Sequence, residues 1–412
     1  MAGNAYQRTL YGLPTTDYGP FPLPTADRRL PTHGVAMPTG DARPDLIIFH
    51  GRGGASEPER LVAGAQRASV RQLVTDGAAT ALFRQIALAT NDAALAGELA
   101  SCHPALRIVP TGETIVFGEE LGALVRGLDS AAVAYVGGGS APLLDAEGLR
   151  GLVEAVATPG HVAANNMLSS DWAAFRPASA LFATGPILTD NDLAWRLHRD
   201  AGLARVSIEQ RLATVLDIDT PTDLALLARA PAVPPLLRAY LDAHAPELPA
   251  LAAVEAAMAD PYRTVMIAGR LNTSIWSRIE REVSFLKRLF VEERGMRASG
   301  RQARGEVRTL LATLLREVGP TRFFALLAAL GDVLVFDTRP LFAEIAPHLS
   351  AHDRFASDLL RPDLIADPTV RDFTAAARDT PLPVVLGGHA LVTGGLWLLA
   401  QRVQALKEAS GG

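Results

Sequence analysis

From Asp45 onward, short continuous apolar runs alternate with longer segments whose apolar residues recur every three or four positions. DLIIFH runs into the glycine-rich turn GRGG. SEPERLVAGAQRASVRQLV has helical spacing, with Ser56 placed to cap it and Pro58 near its first turn. FRQIALATND reads as a second strand, LRIVPTG as a third, FGEELGALVRGL as a helix, AVAYVGGGSAP as a fourth strand and LDAEGLRGLVEAVA as a further helix. Fully apolar strands alternating with amphipathic helices predict a largely parallel sheet covered on both faces. Ligands of such sheets bind outside the carboxyl ends of the strands. GRGG, TND, PTGE and GGGSAP all fall at those ends.

Two flanking segments follow other patterns. Residues 1–43 are rich in Pro, Gly and Thr and have no helical period, which reads as an extended arm; Tyr6, Tyr11, Tyr18 and Phe21 give it apolar area to bury. Residues 44–235 form the α/β segment. Residues 236–412 read as mainly helical, with SIWSRIEREVSFLKRLFVEERG as one long amphipathic helix through Ile275, Ile279, Val283, Leu286 and Phe290. EVRTLLATLLREV and RFFALLAALGDVLVF also read as helical, and a glycine-broken apolar segment and a helix end the chain.

Composition changes this picture little. A chain of 412 residues, 49% hydrophobic and 20% charged, is globular and long enough for about two domains. The net charge of −5 gives no general attraction to nucleic acid or anionic membranes, so neither is an expected partner. The single cysteine, Cys102, excludes an intrachain disulfide and a multi-cysteine metal site, and fits a cytoplasmic location. The N-terminus lacks a basic region followed by an apolar run, so no signal peptide is expected. No apolar stretch reaches the roughly 20 residues needed to span a bilayer. HExxH, GxSxG, Walker A and CxxC motifs do not occur, which leaves zinc protease, serine hydrolase and P-loop ATPase chemistry without support.

Candidate chemistry sits on the strand ends. Gly51, Arg52, Gly53 and Gly54 suit a phosphate, because glycine lets backbone approach an anion and the following helix offers free N–H groups. The plainer reading of GRGG is a tight strand-to-helix turn. Ser140 follows Gly137, Gly138 and Gly139. VLDIDTPTDLALLA holds Asp217, Asp219, Thr220, Pro221, Asp223 and Leu224. Thr220 is placed to cap a helix that begins at Pro221, with Asp223 structural in its first turn. Asp217 and Asp219 are read as facing opposite ways, so that one of them faces the site. Asn165, Asn166, Ser169, Ser170 and Asp171 form a polar cluster suited to hydrogen-bonding a base, sugar or acid, or else a turn-rich loop. TDND reads as a helix start, with Thr189 or Asp190 as the cap. In the last segment the many arginines, among them Arg288, Arg294, Arg297, Arg301, Arg304 and Arg308, read first as a salt-bridged helical face and second as a site for an anionic ligand. His389, after two glycines at the end of an apolar strand, is placed for a pocket.

The order of these motifs resembles the nucleotidyltransferase-like superfamily that contains molybdopterin guanylyltransferases and 2-phospholactate guanylyltransferases. The resemblance covers about residues 45–229 and is strongest at DIDTPTDL, where every position of the D-x-D-T-P-x-D-L pattern matches. It implies a three-layer α/β/α fold of the nucleotide-diphospho-sugar-transferase type, here followed by the mainly helical segment. It also implies a nucleotide at Gly51–Gly54 and at Gly138 and Gly139, and an acceptor near Asn165, Asn166, Ser169 and Asp171. Mg²⁺ would lie at Asp217 or Asp219, with Ser140 and Asp219 at the reacting end. Two departures stand out. FHGRGGASEPERL lacks the family's lysine, for which Arg60, Arg67 and Arg71 are candidate replacements. Ser140 stands where the family carries the aspartate of D-x-P-L-L. A hydroxyl brings no charge to a hard cation. The leading expectation is transfer of a nucleoside monophosphate from a nucleoside triphosphate to a small phosphorylated or hydroxylated acceptor. The alternatives are a catalytically degenerate binding or assembly protein and a glycosyltransferase using a sugar nucleotide. A homodimer stays open as an assembly.

Overall fold

A computed structural model of the chain describes residues 43–297 and 299–411. The arm read for residues 1–43 lies outside them except for Arg43. Seven strands form the first sheet: β1 (Asp45–His50), β2 (Ile86–Thr90), β3 (Leu106–Pro110), β4 (Val133–Gly137), β5 (His161–Ala164), β6 (Trp172–Arg176) and β7 (Ala204–Arg205). Their order is β3-β2-β1-β4-β6-β5-β7. β1 pairs in parallel with β2 and β4, and β2 with β3. β6 is the exception, antiparallel to both β4 and β5. A short polar return, Asn165 to Asp171, joins β5 to β6, and a connection that short permits only an antiparallel pair.

The inner strands β1, β2, β4 and β6 are mostly apolar because both faces are covered, whereas the edge strands β3 and β7 are partly or wholly exposed. Leu46, Ile48 and Leu88 pack with Val70, Leu73 and Val74 of the helix Glu57–Thr80 and with Leu149 and Leu152 of the helix Ala146–Ala155. Ile47, Ala87 and Tyr135 face the other way, onto Leu121 and Leu124 of the helix Phe117–Leu128 and Leu193 and Leu197 of the helix Leu193–Arg199. The result is the expected three-layer α/β/α arrangement. Ser56 caps the first helix as expected, its hydroxyl donating to Glu59 at 2.6 Å.

The last segment is mainly helical by residue count, as expected, but its helices surround a second sheet, of which the sequence reading contains only the apolar strand before His389. β8 (Thr264–Gly269), β9 (Leu286–Val291), β10 (Val333–Asp337) and β11 (Val384–Gly387) are all parallel, in the order β11-β10-β8-β9. Val265, Ile267, Val333 and Val335 meet Leu251, Val254, Ile275, Ile279 and Trp397 on one face. Met266, Leu334 and Phe336 meet Phe323, Phe324, Phe342 and Phe373 on the other. Two expectations are corrected. The single long helix stops at Glu282, and Val283 is extended, so Leu286 and Phe290 belong to strand β9. RFFALLAALGDVLVF divides at Gly331 and Asp332 into the helix Pro320–Ala328 and strand β10. In the first case Leu286 and Phe290 continue the helical spacing of Ile275, Ile279 and Val283 although β9 is largely exposed, and in the second a short buried apolar run fits helix and strand alike.

The helix Pro221–Leu227 joins the two sheets and is buried throughout. Its Leu224 and Leu227 pack with Val62 and Ala65, whereas Ala225 and Leu226 pack with Leu391 and Leu396. The Thr222 hydroxyl donates to the Leu386 carbonyl of β11 at 2.6 Å. On the first unit, the helix Pro235–His244 lies along Glu57–Thr80, with the Tyr240 hydroxyl donating to the Leu61 carbonyl at 3.0 Å. This joint turns the carboxyl ends of both sheets toward one cleft. No helix among the described residues is long and apolar enough to cross a membrane.

Candidate active site

The cleft has a volume of about 800 Å³ and takes its walls from both sheets. On the first sheet it lies where the strand order reverses, between β1 and β4, the position at which parallel sheets leave a crevice. His50 at the end of β1, Gly51 after it, and Gly138–Ser140 after β4 line it. So do Asn91 after β2 and Thr111, Gly112 and Glu113 after β3. The expectation that GRGG, TND, PTGE and GGGSAP gather at one end therefore holds in space.

The glycines serve different ends there. Gly51 lines the cleft, and the space beside its Cα is open. Arg52, Gly53 and Gly54 lie outside the lining. A Cβ on Gly53 would meet Ala63 Cβ at 2.3 Å, and one on Gly54 the Glu59 carboxylate at 2.1 Å, so both are small to fit the helix Glu57–Thr80. Arg52 is held aside, its N–H on the Asn91 side chain at 2.5 Å and its guanidinium 3.6 Å from Glu113. Gly138 and Gly139 line the cleft, yet their missing side chains make room for protein. A Cβ on Gly138 would stand 2.8 Å from His50 Nδ1, and on Gly139 2.7 Å from the Ile218 carbonyl oxygen.

Ser140 is buried on the cleft wall and donates its hydroxyl to the Asp171 carbonyl at 2.9 Å. Its backbone forms an antiparallel bridge with Asp217, clasped by Ala141 N–H to the Leu216 carbonyl and Ile218 N–H to the Gly139 carbonyl. That bridge brings the GGGS turn and the DID segment together. Asp217 and Asp219 both line the cleft, which corrects the expectation that only one would. Residues two apart in extended chain share a face. Ile218 is the one turned away, into the core with Val62 and Leu224.

Asp171 stands beside them. Asn165 clamps it, donating from its side-chain amide at 2.7 Å and accepting the Asp171 N–H at 3.0 Å. Asn165 is outside the lining, whereas Asn166, Ser169 and Asp171 are on it. Ser169 donates to Asn191 at 2.6 Å. Burial, then Asp219 and Asp190, push the Asp171 carboxyl up to about 7. Burial, then Asp171, Asp219 and Asp223, raise Asp217 well above the usual carboxylate range. These groups stand in one another's field with little compensating charge.

Asp223 caps its helix through two backbone N–H groups, of Asp219 at 2.9 Å and Thr220 at 2.7 Å, as its placement in the first turn implied. Burial, then Asp219, push it up to about 8. Asp190 does stand at a helix start, in the turn Asp190–Asp192 that Thr189 caps, but it also accepts the Tyr135 hydroxyl at 3.0 Å and lines the cleft. The sequence reading also missed His50, buried with its Nε2 3.8 Å from Asp92. A histidine ending the first strand was the only available signal. Arg60, Arg67 and Arg71 do not supply the charge of the absent lysine. Arg67 and Arg71 pair with Glu98, and Arg60 donates to the Ala55 carbonyl.

The opposite wall comes from the second sheet. Arg270 follows β8, and Arg339 and His389 follow β10 and β11; all three line the cleft with Arg294, Arg297 and Arg354. Asp337 is fully buried and takes Arg270 through two bonds, at 2.7 and 3.0 Å. Burial pushes Asp337 upward, but the Arg270 charge and hydrogen bonds outweigh it and hold the carboxyl below its usual range. Gly269 has φ +118°, and a Cβ there would meet Asp337 Cβ at 2.5 Å, so only glycine lets β8 turn past this pair.

His389 is half-buried, and burial followed by the Arg270 charge pushes its pKa down to about 3. The unfolded imidazole titrates near 6.5, so between these values the unfolded chain binds a proton that the folded chain refuses. Acidification from pH 7 toward 4 therefore costs stability, and His389→Gln should lose less unfolding free energy over that range in denaturant titrations than the unaltered chain. Equal losses would mean that the folded imidazole protonates freely.

Among the described residues no group of three or more His, Cys, Asp or Glu side chains is arranged to hold a metal ion by itself. Mg²⁺ commonly takes only one or two carboxylates and completes its shell with water and substrate phosphate oxygens. The hard oxygen donors of Asp217 and Asp219, neither of them ion-paired among the described residues, fit that mode and not an all-protein cage.

No family model matches the sequence, and no curated protein matches it. Several solved structures resemble part of it. One, from Desulfovibrio desulfuricans G20, is provisionally described as a nucleotide-diphospho-sugar transferase. It is 16% identical with a TM-score of 0.36, over 49% of this chain and 98% of the other. A nucleotidyl transferase from Methanothermobacter is 15% identical with a TM-score of 0.34, over 44% and 94% of the two chains. The 4-diphosphocytidyl-2C-methyl-D-erythritol synthase of Anaerococcus prevotii is 12% identical with a TM-score of 0.32, over 44% and 95%. The chain is thus similar, over slightly under half its length, to structures described as a nucleotide-diphospho-sugar transferase, a nucleotidyl transferase and a 4-diphosphocytidyl-2C-methyl-D-erythritol synthase.

Proposed function

We propose that the protein transfers a nucleoside monophosphate from a nucleoside triphosphate to a small acceptor in this cleft. The observation that carries the reading is the bridge between Ser140 and Asp217, which sets the carboxylates Asp217 and Asp219 against the glycine turn at the point where the strand order reverses. In this reading the nucleotide lies along Gly51 and Gly138–Ser140. Asp217 and Asp219 hold Mg²⁺, which would offset the charge of the triphosphate. Asn165 positions Asp171, while Asn166, Ser169 and Asn191 offer amide and hydroxyl groups to a sugar or base. An acceptor oxygen forms a bond to the α-phosphorus as the bond to the bridging oxygen breaks, and pyrophosphate leaves with that electron pair. A phosphate acceptor, already ionised at neutral pH, brings no proton to remove. The work left to the protein is positioning and charge neutralisation, the usual means of catalysing phosphoryl chemistry.

The expected result is a rise in melting temperature with one of the four nucleoside triphosphates that requires Mg²⁺, and pyrophosphate release on adding a phosphorylated acceptor. No shift with any of the four, and no release across an acceptor panel, would reject the reading. A second reading rests on the Ser140 hydroxyl and the glycine spaces being taken up by the protein itself: a binding module without metal. It expects a nucleotide shift that is the same with and without Mg²⁺.

A further inference from the structure

The second sheet has its own strand-order reversal, between β8 and β10. β8 leads to β9 on one side, and β10 leads to β11 on the other. The same topological reason that opens a crevice at β1 and β4 opens one here, and the Arg270–Asp337 pair stands at it. Around that point five arginines line the cleft: Arg270, Arg294, Arg297, Arg339 and Arg354. Two have carboxylate partners. Arg270 holds Asp337, and Arg339 holds the buried Asp358 in a two-pronged pair.

The other three have none at ion-pair distance among the described residues. Arg294 reaches only the Leu271 carbonyl at 3.4 Å, Arg297 the Gln302 side chain at 3.4 Å, and Arg354 the Leu349 carbonyl at 2.8 Å. The acids nearest in sequence are engaged elsewhere: Glu293 with Arg301, and Glu292 with the Leu310 N–H at 2.5 Å. Loss of solvent and then Arg270 lower the pKa of Arg294, and loss of solvent, then Arg339 and Arg297, lower that of Arg354. The positive groups thus oppose one another across a cleft that no side chain of the described residues fills. A planar guanidinium binds phosphoryl and carboxylate oxygens with two parallel N–H bonds.

We propose that Arg294, Arg297 and Arg354 form an anion subsite for a phosphoryl group, built by the second α/β unit and facing the carboxylates of the first. The fixed pairs Arg270–Asp337 and Arg339–Asp358 hold its floor in shape. The site deepens the transfer reading, on which it does not depend for its existence: the phosphoryl group belongs either to the acceptor or to the tail of the triphosphate. In the first case the second unit is the acceptor half of the protein. In the second it supplies the cationic charge that the absent lysine would have brought.

The probe is inorganic phosphate, titrated calorimetrically into the full chain with and without a saturating Mg²⁺ complex of a non-hydrolysable nucleoside triphosphate analogue. Phosphate should bind the unaltered chain, and Arg294→Gln, Arg297→Gln and Arg354→Gln should each weaken it about tenfold, the scale of one charge-assisted hydrogen bond. Melting temperatures close to that of the unaltered chain establish that the variants are folded. Phosphate binding that survives the analogue assigns the subsite to the acceptor, and binding that the analogue displaces assigns it to the triphosphate tail. No binding by the unaltered chain, or affinities unchanged in all three variants, would overturn the subsite. A chain that holds phosphate on these arginines and takes no nucleotide keeps the subsite and loses the transferase reading.

Discussion

Asp219→Asn should slow the proposed Mg²⁺-dependent nucleotidyl transfer by about 10²–10³-fold, the scale of removing one group that stabilises transition-state charge, and should leave the fold at least as stable. The two effects have one origin. Asp219 is exposed to the cleft, and its charge raises the pKa values of Asp171, Asp217 and Asp223. The folded chain gains nothing evident from this crowding, because among the described residues the carboxyl accepts no hydrogen bond and joins no ion pair. An amide there relieves repulsion while removing a negative ligand. Steady-state rates at several Mg²⁺ concentrations, with thermal melts alongside, read both sides. Transfer unaffected at every Mg²⁺ concentration would remove Asp219 from the site, and a fall in stability would make its role structural.

The second large effect is on folding. Arg339→Leu should lower the unfolding free energy by about 3–5 kcal/mol, the usual result of breaking one side of a buried ion pair. Asp358 is 1% exposed and takes Arg339 Nη1 at 2.9 Å and Nη2 at 2.5 Å. Burial pushes Asp358 above its ordinary pKa even with the arginine present, so without it the carboxyl must protonate or admit water. A denaturant titration gives the difference. If Arg339→Leu with Asp358→Leu restores much of the lost stability, the cost lies in the stranded charge and not in lost packing. A single-variant loss under about 1 kcal/mol, in the range of a surface pair, would contradict the burial of this bridge.

The segment 45–229 was legible because its information is local. A strand buried on both faces reads as a continuous apolar run, and a glycine turn at its end marks where the backbone must bend. Capping works the same way. Ser56 and Thr220 directly before their helices, and Pro221 and Asp223 in the first turn of the second, occupy the positions that helix geometry assigns them. Of the second sheet only the apolar strand before His389 was legible. Its strands are four to six residues long, too short for their periodicity to set them apart from the helices beside them.

Site chemistry divides along the same line. DIDTPTDL and GGGSAP were found as separate motifs, and the pattern of each determined that it ends a strand or starts a helix. That they touch, through the bridge of Ser140 and Asp217, is a fact of packing between segments far apart in the chain. Sequence placed Asp190 at a helix start; the fold gave it Tyr135 and a place in the cleft. Arg294 and Arg297 looked like a solvated helical face, because Glu292 and Glu293 lie beside them. Only the folded chain shows those acids taken by Leu310 and Arg301, with the arginines left facing Asp171, Asp217 and Asp219 across the cleft. Local order thus followed from periodicity and turn chemistry, which act between neighbours in the chain. The pairing of two sheet ends into one cleft, acidic on one wall and basic on the other, came from the buried helix Pro221–Leu227, whose two faces pack into both units at once.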